Sequence, residues 1–215
     1  MISIPAPTRA PLRAGLSALL VALAATALPG CAPLVMGGAM VGGTMMVIDR
    51  RTSGAQVEDQ AIELKSIGAV REAASLGHVN VTSYNRLVLI TGEVPREADK
   101  GSVEQAIARI ENVRSVVNEL AVAGNSSLSA RSNDSILSAK VKASFVDAQD
   151  LQANAVKVVT ERSIVYLMGR VTDREAQRFS DVARAVPGVQ KVVRVFEHIT
   201  DAELAAMQAP PKPRN

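Results

Sequence analysis

The residue best placed to do chemistry is Cys31, the only cysteine in the chain. It closes the tetrapeptide Leu28-Pro29-Gly30-Cys31. Upstream, Arg9 and Arg13 precede an uncharged, leucine-rich run over residues 14–28. Basic residues, an apolar stretch and then small residues are the order of a bacterial export signal. As a helix the run reaches about 22 Å, short for a membrane span. A thiol at that junction can be acylated, can pair with a second chain, or can pack as a small apolar residue. Ala25-Thr26-Ala27 offers a competing cleavage site of the ordinary secretory kind.

Catalysis has little raw material beside it. His78 and His198 are the only histidines, and neither stands at metal-ligand spacing from another His or Cys. No G-x-S-x-G elbow occurs, and no phosphate-cradling loop with its lysine follows Gly92 or Gly169. Glu58-Asp59, Asp173 and Glu175 fit helix N-termini, where negative charge complements the helix dipole. The expectation is a non-enzyme with no catalytic residues, metal or cofactor.

The Cys31 tetrapeptide resembles the bacterial lipobox, in which the thiol receives a diacylglycerol and becomes the first mature residue. Residue 32 is Ala rather than Asp, which by similarity to sorted lipoproteins points to the outer membrane. Two or more acyl chains give stable anchoring, since each buried methylene contributes ~0.8 kcal/mol. On this reading residues 1–30 are a signal peptide. Residues 31–55 are then a tether that begins at the lipidated Cys31 and carries the pairs Gly37-Gly38 and Gly42-Gly43. A second membrane helix there is the alternative, against which the paired glycines count.

Elements must position any such site, and composition limits them. Hydrophobic residues make up 47% of the 215, aromatics only 2%, and the formal net charge is +3. So mild a charge suits an anionic lipid surface. With so few aromatics for base stacking, it argues against nucleic acid.

The chain then repeats itself. VTSYNRLVLITG over residues 81–92 matches VVTERSIVYLMG over 158–169, 77 residues on. Val113, Val116 and Val117 match Val189, Val192 and Val193, and Ile62 and Lys65 match Leu137 and Lys140. This is an internal duplication. Helices are expected over 59–75 and 134–148, the second capped by Asn133 or Asp134. Strand pairs follow over 79–84 with 87–94 and 156–160 with 164–171. Helices over 96–111 and 173–185 and strands over 115–122 and 191–199 complete the copies. The order α-β-β-α-β, with two helices on a small mixed sheet, is an α+β sandwich. The expected bounds are 56–124 and 133–201 for the domains, 125–132 for a linker and 202–215 for a disordered tail.

A strand pair reaching Gly92 or Gly169, the Val186-Pro187-Gly188-Val189 turn and a valine-rich last strand resemble the BON domain. A lipidated cysteine before two tandem copies is similar to the dual-BON outer-membrane lipoproteins. The likeness is closest over residues 51–59, at Asn133-Asp134 and over 154–199. It implies a periplasmic-face protein, lipid-anchored in the outer membrane, that supports envelope integrity. It also implies that the second domain binds anionic phospholipid of the inner leaflet through its first helix.

Carried onto this chain, the residues implied are Asp134, Ile136, Lys140, Lys142 and Ala143. Leu137, Val141 and Phe145 would face the core, with Ile136, Lys140 and Ala143 on the flank and Lys142 farther round. A protein of the family that this chain resembles has a tryptophan where this chain has Ile136, which lacks the polar N–H suited to an interface. The other reading of these residues is a core border with solvated lysines. The alternative function is a protein–protein adaptor for an outer-membrane assembly or division partner.

Overall fold

The computed structural model describes residues 49–208. Its elements are α1 (Ser53–Ala73), β1 (His78–Tyr84), β2 (Leu87–Val94), α2 (Glu97–Ala108) and β3 (Ser115–Val122). The second copy has α3 (Leu128–Asp147), β4 (Val156–Glu161), β5 (Ile164–Val171), α4 (Asp173–Arg184) and β6 (Lys191–His198), and α5 (Asp201–Gln208) follows. Each copy is a three-stranded mixed sheet, in the orders β1-β2-β3 and β4-β5-β6. The first two strands of each pair antiparallel, and the third joins the central strand in parallel. The expected α+β sandwich is therefore present twice.

Two-residue turns close both hairpins. Asn85-Arg86 has φ of 52° and 65°, and Arg162-Ser163 has 54° and 62°, the left-handed pair of a type I′ turn that matches strand twist. An aspartate on each first helix holds the turn. Asp59 accepts from the amides of Asn85 and Arg86 at 2.7 Å each and from Ser83 Oγ at 2.6 Å. Asp134 accepts from the amides of Arg162 and Ser163 at 2.8 and 2.9 Å.

That use of Asp134 corrects two expectations. It does not cap its helix, because α3 starts six residues earlier, where Ser127 accepts from the Ala130 amide at 3.2 Å. Thr52 caps α1 in the same way. The helix therefore takes up most of the expected 125–132 linker. The expected tail also begins as a helix, because Thr200 and Glu203 form a reciprocal cap for α5.

The helices of each copy cover one sheet face. Ile62, Val88, Ile90, Val103 and Ile107 fill the first core. Leu137, Val141, Phe145, Leu167 and Phe179 fill the second, where the Phe145 and Phe179 rings meet edge to face at 4.9 Å. The opposite sheet faces pack on each other through Tyr84, Leu89, Tyr166, Met168 and Val195. Both central strands are thus buried on both faces, which explains their near-continuous apolar runs, Leu87 to Ile90 and Ile164 to Met168. Each side chain so buried contributes ~1.5–3 kcal/mol, support that a copy this small lacks alone. The result is a four-layer α-β-β-α body.

Polar contacts tie the segments before α1 and α3 to the copies. The segment before α1 reaches the second copy, where Arg50 lies buried and forms a bidentate pair with Glu175 at 2.7 and 2.8 Å. The segment before α3 reaches the first copy, with the Ser126 amide donating to Glu93.

Candidate functional site

The α3 helix positions the implied lipid-contact residues. Its inward stripe is Asp134, Leu137, Val141 and Phe145, all buried, which fixes the opposite stripe toward solvent. That outward stripe is Leu128, Ile136, Ala139, Ala143 and Val146, with Ile136 54% and Val146 69% exposed. Exposed Lys140 and Lys142 flank it, and no acidic residue falls between 135 and 146. An aliphatic ridge between two ammonium groups can bury its methyls at an interface while the lysines meet anionic headgroups.

The structure brings Ile136, Lys140, Lys142 and Ala143 to this one face. It does not bring Asp134, whose two oxygens are spent on the β4–β5 turn and whose surface is buried. Sequence reasoning missed Leu128 and Val146. Their signal was a helical spacing, 128-136-139-143-146, on the face opposite the core. Cys31 and the glycine-rich stretch lie outside the described residues.

A cleft of about 340 Å³ opens beside Lys142 and Val146. Asp49 and Arg51 line it from the leader, Tyr84 from the first copy, and Lys157 from β4. Arg51 binds Asp49 and Asp59 and stacks on the Tyr84 ring at 4.6 Å. Burial pushes the Tyr84 hydroxyl up to about 12, with Asp49 adding to it. Lys157 pairs with Glu63 of α1 at 2.9 Å. The first described residue, Asp49, therefore stands at the same cleft as the C-terminal half of the α3 ridge.

Neither histidine gathers a constellation. His78 contacts Asn80, and His198 contacts Asp173. Among the described residues no group of three His, Cys, Asp or Glu side chains could hold a metal, and no helix is long and apolar enough to cross a membrane. The shifted carboxylates have structural causes. Burial opposes ionisation of Glu175 and Glu197, yet Arg50 and the Thr172 amide hold the first below its ordinary pKa, and Asn85 and Arg114 the second. Glu161 goes the other way, raised by burial.

The BON domain matches this chain twice, over residues 58–124 and 133–198. The chain belongs to the BON-domain family. Its two copies are accordingly the first and second BON domains. Outer membrane lipoprotein DolP of Haemophilus influenzae is 38% identical over 176 residues, covering 80% of this chain and 90% of that protein. The 21 kDa hemolysin of Actinobacillus pleuropneumoniae is 30% identical over 155 residues, covering 71% and 80%. Among solved structures, the C-terminal domain of CdsD, the structural protein of the Type III secretion system of Chlamydia trachomatis, aligns with 67% of this chain and 98% of its own. Its identity is 12% and its TM-score 0.28, too low to bear on this fold.

Proposed function

We propose that this chain is a lipid-anchored protein of the outer membrane's periplasmic face. In this reading its second BON domain binds anionic phospholipid, and the protein supports envelope integrity as a binding module without catalysis. The anchor is Cys31. The observation that carries the reading is the outward face of α3, with Ile136 and Val146 exposed between Lys140 and Lys142 and no acid along residues 135–146. That Asp49 lines the same cleft as Lys142 and Val146 supports it further, because a tether from Cys31 then joins the body on the side of this ridge. Tethering raises the local concentration, so a weak surface suffices. The name of the Haemophilus relative agrees with the compartment.

The test is flotation of the chain from Ala32 onward with vesicles of phosphatidylcholine alone or with a third phosphatidylglycerol. Co-flotation should require the anionic lipid, and Ile136→Asp with Lys140→Glu should abolish it while leaving the fold intact. Equal recovery on both vesicles removes the lipid-selective claim.

A further inference from the structure

The first BON domain presents a different surface from the second. A groove of about 630 Å³ runs between α1 and the edge strand β1, lined by Glu63, Leu64, Ile67, Val70, Val79 and Val81. Leu64 is 69% and Ile67 58% exposed.

The main chain along this groove is also open. Tyr84 and Leu87 flank a type I′ turn and so exchange the first ladder bonds. The alternation then turns the amides and carbonyls of Asn80 and Thr82 toward β2, and those of Val79, Val81 and Ser83 away from it. Ser83 is already served, its amide by Glu63 at 2.8 Å and its carbonyl by Lys157 at 3.4 Å. Among the described residues no backbone bond outside the ladder engages Val79 or Val81.

The second domain closes the corresponding space. There Ser138 Oγ donates to Thr160 Oγ1 at 2.7 Å, tying α3 to β4, and the fully buried Phe145 stands where the first domain has Val70.

We infer that this groove docks an extended peptide segment of another envelope protein, which adds to β1 as a strand through the main chain of Val79 and Val81. Its alternate apolar side chains lie on Leu64 and Ile67. A free edge favours a partner with its own N–H and C=O groups, which a lipid tail lacks. The inference goes beyond the lipid reading and stands if that reading fails.

The test uses the full chain in neutral phosphatidylcholine nanodiscs and a fluorescent capped octapeptide, Lys-Val-Thr-Val-Thr-Val-Thr-Lys, read by anisotropy. Saturable binding is expected, with loss of tenfold or more when alternate peptide nitrogens are methylated. Leu64→Glu and Val81→Pro should each weaken binding at least fivefold. Leu64→Glu changes an exposed side chain, so it remains informative if the proline variant is unstable. Ile136→Asp should leave binding unchanged. No saturable binding, equal affinity for the methylated peptide, an unaffected Leu64→Glu variant, or loss with Ile136→Asp would each overturn the proposal.

Discussion

At the scale of single residues, the aspartates at equivalent places in the two BON domains bind structure rather than ligand. Asp59 is 2% exposed and accepts from Ser83, Asn85, Arg86 and Arg51. Burial alone would raise its pKa, but the Ser83 hydroxyl, the two amides and the guanidinium outweigh burial and hold it below the ordinary value. A carboxylate lowered in this way adds stability above its unfolded pKa, and the addition disappears as pH falls through the folded pKa. The Asp59→Asn variant should therefore unfold at lower urea than the parent at pH 7, by about 2 kcal/mol for hydrogen bonds to a charged group. The gap should narrow as pH is lowered below the ordinary aspartate range. A gap that stays constant from pH 7 to pH 3 would mean that ionisation is not what Asp59 contributes.

At the scale of elements, glycine separates a strand in close contact from a helix with space around it. Gly92 in β2 has φ of 115°, and a Cβ there would stand 1.9 Å from the His78 carbonyl oxygen. Gly101 in α2 meets nothing within 4 Å. Gly92→Ala should lower the melting temperature sharply or prevent folding, whereas Gly101→Ala should raise stability by roughly 0.5–1 kcal/mol. Thermal unfolding followed by circular dichroism measures both, and a tolerated Gly92→Ala would contradict the close β1–β2 approach. Much at this scale was legible in the sequence. The 77-residue repeat located both hairpins, and the periodicity of Leu137, Val141 and Phe145 oriented α3 correctly. Helix starts were less legible, because Thr52 and Ser127 cap helices whose first turns lack acids and carry few apolar residues. The candidate face was half legible for a related reason. Ile136 and Lys140 stood beside a recognised core stripe, whereas Val146 looked like one more apolar residue near Phe145.

At the scale of the whole molecule, the packing of sheet on sheet was not legible, because the unbroken apolar run Leu87 to Ile90 of β2 fits any doubly covered strand. That packing makes the two BON domains one body, and the leader reinforces it. The Arg50 side chain is 1% and the Glu175 side chain 10% exposed, and Arg50 also donates to the Arg170 carbonyl at 2.8 Å. Glu175 at the same time completes the Thr172 capping box of α4. Removing Arg50 thus leaves a buried carboxylate without its cation, a loss of about 3–5 kcal/mol. Arg50→Ala should lower the denaturation midpoint by that amount, and adding Glu175→Gln should recover part of it because the stranded charge is gone. Both proteins should still unfold in one transition, since the Tyr84, Leu89, Tyr166 and Met168 interface continues to couple the domains. Two separated transitions in the Arg50→Ala variant would instead make the strap, rather than the sheet interface, the bond between the domains. The outcome also bears on the membrane reading, because a pull on the chain at Asp49 passes through Arg50 to the domain that carries Ile136 and Val146.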